Sequence, residues 1–287
     1  MSTDAAPAGP RIPPLFERLI DDAAVFPPGN ASVPDALAAH TGHRSAWYAA
    51  LVGPLLLPAS VLARLAAAEL PRIGVIGDTG PAGVHAAFEV AAGSDRWTQF
   101  EVAVAKRGED PQPGLRRLLG EVGMGPDIDV YAELPLTWGL LDALDTLATE
   151  RAGGARVAPK FRTGGLAAEL FPTPIELAAV ICACRDRELP FNLTAALHHA
   201  MRYTDPETGF THHGFLNVLA AGLAAAGGTE VADVAELLGS TDPVPIVEIV
   251  RGRLADQRPL WIGFGSCSID EPLADLATLG LLGGGDR

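Results

Sequence analysis

The stretch RVAPKFRTGG at 156–165 places Lys160 and Arg162 on alternate positions of an otherwise apolar run that ends in a Gly-Gly break. Lysine occurs twice in the 287 residues, as Lys106 and Lys160, and arginine supplies nearly all the remaining positive charge. The two side chains differ chemically. A guanidinium keeps its proton near neutral pH, whereas a lysine amine can be desolvated into a nucleophile. Lys160 is therefore the candidate for attack on a carbonyl carbon. Such an amine needs a proton shuttle and a place for its substrate. Glu101 in QFEVAVA (99–105) is suited to relay protons to and from a carbinolamine, and Glu133 in DVYAELPL (129–136) to orient the lysine or act as a second base. Asn192 and Thr194 in PFNLTAAL (190–197) offer neutral polar contacts. The small residues of GFGSCS (263–268), with Gly265, Ser266, Cys267 and Ser268, form a turn before a helix, where backbone N–H groups suit an anion.

These groups can meet only if the elements carrying them do. Short apolar runs alternate with longer Ala/Leu-rich segments, the pattern of a parallel sheet with crossover helices. Strands are expected at 19–26, 50–57, 72–78, 99–105, 129–136, 156–162, 190–197 and 260–266. Helices fit at 33–43, 60–69, 81–92, 111–122, 137–151, 173–187, 214–238 and 271–281, with 239–259 irregular. Thr173, Pro174 and Glu176 spell a capping box. Eight βα units over 19–287 predict an α/β fold, a single-domain (β/α)8 TIM barrel, preceded by a flexible arm at 1–18. An open doubly wound sheet is the alternative.

In a barrel, catalytic groups gather at the C-terminal strand ends, and alternation decides which side chains meet there. Ala158, Lys160 and Arg162 share one face of their strand, and Val157 and Phe161 the other. Glu101 opposes Val102 and Val104, Glu133 opposes Val130 and Ala132, and Asn192 and Thr194 oppose Phe191 and Leu193. Four strands thus direct polar groups to the barrel mouth. The structural alternative is an ion-pair network in which Glu101 and Glu133 neutralise Lys160 and Arg162.

In this order the segments resemble the deoxyribose-phosphate aldolase family of class I aldolases, at motif level over nearly the whole chain. LIDDAAVFPPGNASVPD is similar to that family's opening strand, with its Asp near the end, here Asp22. FEVAVA resembles the fourth strand, whose proton-transfer acid falls on Glu101. PKFRTGG with FPTPIELAAVI resembles the sixth strand, loop and helix, whose imine-forming lysine falls on Lys160. FGSCSIDEPLADLATLG is similar to the final strand and phosphate loop. The resemblance implies a Schiff-base lyase needing no cofactor and no metal. Where that family carries a second lysine on the seventh strand and a glycine pair after it, this chain has Asn192 and Ala195-Ala196.

The loop at 198–214 holds His198, His199, His212 and His213, four of seven histidines. Its length suits a lid or substrate loop, with His198 and His199 as substrate contacts. Adjacent histidines rarely share one metal ion, so no metal site is assigned. A net charge of −14 argues against a nucleic-acid partner. Prolines, a serine and an arginine interrupt LVGPLLLPASVLARLAAA, so no membrane span is expected. Three cysteines without a CxxC fit a reducing cytoplasm. The partner expected is a small anionic or carbonyl substrate, and the Ala/Leu-rich exterior suits a homodimer. Two other functions fit the same residues. One is an isomerase or metal-assisted barrel enzyme using Glu101, Glu133 and His198; the other is an inactive barrel that binds a ligand or a protein.

Overall fold

The computed structural model describes residues 11–62, 65, 70–79, 85–86, 96–122 and 128–282, and its eight long-range parallel strands close into a barrel. They are β1 (Ile20–Asp22), β2 (Val52–Pro58), β3 (Ile73–Gly77), β4 (Trp97–Ala103), β5 (Asp129–Glu133), β6 (Val157–Arg162), β7 (Phe191–Thr194) and β10 (Trp261–Ser266). Each pairs with its chain neighbour, and β10 closes on both β7 and β1. β8 (Tyr203–Thr204) and β9 (Thr211–His212) form a separate antiparallel hairpin inside the histidine-rich loop. The fold is the expected single-domain (β/α)8 barrel.

The helices are α1 (Val33–Ser45), α2 (Ala59–Leu62), α3 (Pro111–Val122), α4 (Leu140–Ala152), α5 (Pro174–Arg185), α6 (Phe215–Ala226), α7 (Val231–Gly239), α8 (Pro243–Arg251) and α9 (Asp270–Thr278). Local chemistry sets their ends. Both halves of the expected capping box form at α5, with Thr173 accepting from the Glu176 N–H and Glu176 reaching back to the Thr173 N–H. The helix expected over 214–238 is two, because Gly227 closes α6 and Gly228 takes φ +88°. The stretch expected to be irregular holds α8, capped by Asp242, with prolines confined to its first turn where no N–H is missed. The helix expected at 81–92 and most of that at 60–69 lie outside the described residues.

Part of the stretch expected as an arm packs on the barrel. Residues 1–10 lie outside the description, but Leu15 and Phe16 are fully buried against the barrel. Among the described residues, no helix is long and apolar enough to cross a membrane.

Alternation sorts the strand side chains into two layers. Phe161 and Phe191 point outward, are completely buried, and meet with ring centroids 6.4 Å apart. Burying each is worth about 2–3 kcal/mol. Val157 and Leu193 join them under the helices. The inward face is different: Asp21, Gln99, Glu101, Lys160 and Asn192 are all buried there. Glycines make room for them. A Cβ on Gly53 would sit 2.0 Å from Asp21 Oδ1, and one on Gly74 would sit 2.7 Å from Gln99 Cγ.

Candidate active site

Lys160 stands on the inward face of β6, in register with Glu133 on β5 and Asn192 on β7. Its side chain crosses the barrel interior and donates to Glu101 Oε2 on β4. The ammonium-bearing residue is 1% exposed and Glu101 is 3% exposed. Charges so buried persist only when paired. The network continues. Gln99, two residues before Glu101 and so on the same face, uses both Nε2 hydrogens, donating to Glu101 Oε1 at 2.9 Å and Asp21 Oδ2 at 2.8 Å. Four side chains from three strands thereby form one chain: Asp21, Gln99, Glu101, Lys160.

Asp21 ends this chain at β1. Complete burial raises its carboxyl pKa to about 7, and the nearby Glu101 carboxylate pushes in the same direction against the opposing Gln99 hydrogen bond and Lys160 charge. A carboxyl that exchanges its proton near pH 7 is suited to general acid–base work. Tyr131, in register with Glu101, lines the same interior. Burial holds its phenol strongly protonated, with Asp21, Asp129 and Glu101 adding to the effect.

Asp22, the aspartate expected at the site, is turned the other way. Its carboxylate accepts from His40 Nδ1 on α1 at 3.0 Å and from the Ala24 N–H at 3.2 Å, which makes it a strand-to-helix clip. Ile20 and Asp22 share the helix-facing side of β1, and Asp21 alone looks inward.

One layer toward the mouth, Arg162 Nε donates to Glu133 Oε1 at 3.0 Å. Both of the pairings that the network alternative requires therefore exist, Glu101 with Lys160 and Glu133 with Arg162. They differ in kind: the first is buried, whereas Arg162 is exposed and Glu133 half-buried. A cleft of about 280 Å³ opens beside this second pair, over the ends of β4 to β6. Lys106, Arg107, Leu134 and Leu170 contribute to its walls, and Glu169 and Glu176 balance its cations.

The far side of the mouth is built by the turn after β7. Thr194 is half-buried, and its carbonyl accepts from the Thr163 N–H at 2.9 Å. Ala195 and Ala196 follow at φ 66° and 62°, the left-handed conformation that a glycine pair adopts freely. Thr163 Oγ1 donates to the Ala195 carbonyl, and His212 Nδ1 donates to the Ala196 carbonyl at 3.2 Å. His212 stacks on Tyr203 and stands edge-on to Phe171.

His198 and His199 sit at the rim and are tied to α9. His198 Nδ1 lies 3.2 Å from Glu271 Oε2 and 3.8 Å from Cys267 Sγ; His199 Nδ1 lies 3.3 Å from Asp275 Oδ2. They are not brought onto Lys160. Of the alternative trio, Glu101 is paired with Lys160, Glu133 with Arg162 and His198 with Glu271. Among the described residues, no group of three or more His, Cys, Asp or Glu is arranged to hold a metal ion.

The expected anion turn is occupied by its own hydrogen bonds. Gly265 lies on the inner face beside Asp21, but Ser266 Oγ donates to the Ser268 carbonyl at 2.7 Å. The Ser268 and Glu271 N–H groups donate to Ser266 Oγ and Ser268 Oγ. Cys267 is half-buried beside Gly29, and Asp270 and Glu271 put two acids in the first turn of α9. Negative charge is poorly served there.

The residues that the sequence reading missed are Asp21 and Gln99. Gln99 had a signal, since it shares parity with Glu101. No family model, no curated protein and no solved structure matches the chain.

Proposed function

We propose that the barrel is a Schiff-base-forming lyase acting on a small hydroxy-carbonyl compound, with Lys160 as nucleophile, as its resemblance to the class I aldolases implies. The observation that carries this reading is the buried amine–carboxylate pair joined through Gln99 to a carboxyl that titrates near neutrality. A lysine attacks only as the free amine, and Glu101 is placed to take its proton. Nζ then bonds to the carbonyl carbon as the C=O π pair moves onto oxygen; that oxygen takes one proton from Nζ and a second from Glu101, which holds the one it removed from the ammonium, and water departs to leave the iminium. The iminium draws in the electron pair of the Cα–Cβ bond as that bond breaks, while a carboxylate takes the proton of the hydroxyl on Cβ, whose oxygen forms the new C=O. This gives an enamine and a released carbonyl fragment. Protonation of the enamine carbon and hydrolysis return the amine. Toward the mouth from Lys160, Ala103 and Arg162 are exposed, and this is the side from which a substrate would approach.

The test is cyanoborohydride trapping with a panel of small aldehydes, ketones and sugar phosphates, followed by peptide mass. The expected result is a secondary-amine adduct on Lys160 that is absent in Lys160→Ala. An adduct confined to Lys106 or the N-terminus overturns the assignment. A barrel that binds a ligand without chemistry is the second reading, favoured by the near-complete burial of the pair. It predicts stabilisation by a metabolite with no adduct, and a Lys160→Ala effect on stability alone.

A further inference from the structure

Asn192 is completely buried, and neither Nδ2 nor Oδ1 of its carboxamide has a hydrogen-bond partner. Among the described residues, no other buried side chain leaves two polar atoms unpartnered. The contrast with Asn217 is direct. That amide, also 0% exposed, donates to the Leu237 and Ser240 carbonyls at 2.8 Å each and accepts from the Arg202 N–H at 2.9 Å. Burying an amide without partners is unfavourable, and a leucine of similar shape would not carry that cost. An amide kept in such a place points to a ligand group that completes it.

Its position says which ligand. Asn192 lies on the inward face of β7, level with Lys160 on β6 and with Gly263, which has no side chain, on β10. Neighbouring strands run about 4.8 Å apart, so this amide flanks the lysine stem on the side away from Glu101, within reach of a substrate held on Nζ once the amine leaves that carboxylate. The free Nδ2 needs an acceptor and the free Oδ1 needs a donor. A carbonyl or carboxylate oxygen serves only the first, and an ammonium only the second. A hydroxyl serves both.

Resting on the Schiff-base assignment of Lys160, we propose that Asn192 reads a hydroxyl on the carbon beside the captured carbonyl. The substrate class is then an α-hydroxy aldehyde or α-hydroxy ketone, and the deoxy counterpart is rejected. A methyl group or hydrogen in that place strips the amide of partners, which is the situation in which sites discriminate most strongly.

The experiment compares cyanoborohydride trapping of glycolaldehyde against acetaldehyde, and of hydroxyacetone against acetone. Each rate ratio is divided by the same ratio for a free lysine derivative. Wild type is expected to favour the hydroxylated member by about 100-fold or more. Asn192→Leu should bring the ratio to within about threefold of one, and Asn192→Ser, which keeps one hydroxyl, should lie between. Asn192→Leu should also melt no lower than wild type, which shows that it folds. A ratio near one in wild type, or one unchanged in Asn192→Leu, overturns the role of Asn192 and leaves the lysine chemistry standing. If no carbonyl compound labels Lys160, the Schiff-base assignment falls instead. Asn192 is then judged by melting with glycerol against propan-1-ol. Glycerol stabilisation greater in wild type than in Asn192→Leu supports hydroxyl recognition, and equal stabilisation refutes it.

Discussion

Replacing Asp21 by asparagine should stabilise the protein at alkaline pH and do little in acid. The carboxyl is pushed from 3.8 to about 7 by burial and by Glu101. Between these two values the folded chain holds a proton that the unfolded chain has released, so folding stability falls as pH rises through this window. Above about pH 7 both forms are ionised and the penalty is constant. At about 1.4 kcal/mol for each pH unit between the two values, it comes to about 4 kcal/mol. Asparagine resembles the protonated acid in setting a donor group beside an acceptor oxygen, and it never ionises. It still offers Gln99 an oxygen. Urea unfolding near pH 8.5 should therefore show Asp21→Asn more stable than wild type by up to about 4 kcal/mol, equivalent to about 7 °C in Tm for a chain of this size. Near pH 4 the advantage should shrink below about 1 kcal/mol. Two parallel stability–pH curves would refute the argument. So would a variant less stable at every pH, because Asp21 would then be a folded-state carboxylate sustained by Lys160 rather than a buried acid.

Three further outcomes test the surrounding geometry. Glu101→Gln should cost about 3–5 kcal/mol by leaving the Lys160 charge unpaired, and adding Lys160→Met should recover most of it in urea titrations; a double variant as weak as the single would contradict a two-member pair. Asp22→Ala should cost about 3 kcal/mol through loss of the clip to His40, yet leave the Lys160 trapping rate within about threefold of wild type. Ala196→Gly should raise the urea midpoint by the equivalent of about 0.5–1 kcal/mol, since glycine relieves a left-handed alanine but costs unfolded-chain entropy; a lower midpoint would show that the turn is unstrained.

The barrel could be read in advance because its signals are local and repeated. Each strand is a short apolar run, each helix an Ala/Leu-rich segment, and the caps at Thr173 and the breaks between elements are written within a few residues. What failed depends on more than a window. Pro243 and Pro245 look like breakers until an N-cap at Asp242 puts them in the first turn of a helix. Leu15 and Phe16 look like an arm until the barrel provides the surface that buries them.

The site shows the same division at finer grain. Lys160 and Glu101 could be placed because their strands alternate cleanly, with Val157, Phe161 and Val102 marking the outer face. LIDDAAVF gives no such marker around its aspartates. Two acids adjoin, only Ile20 precedes them within the observed strand, and a one-residue choice of parity decides which of them enters the barrel. The structure resolves the choice through partners: His40 draws Asp22 outward, and Gln99 receives Asp21. Partners separated by 78 residues leave no trace in a local pattern. Neither does the absence of partners, which is what distinguishes Asn192 from Asn217. In sequence both are asparagines among apolar neighbours, and only closure of the barrel leaves one amide unpaired at the level of the lysine. Local periodicity thus locates the polar groups that face the interior, while the contacts formed on closure decide which of them are paired.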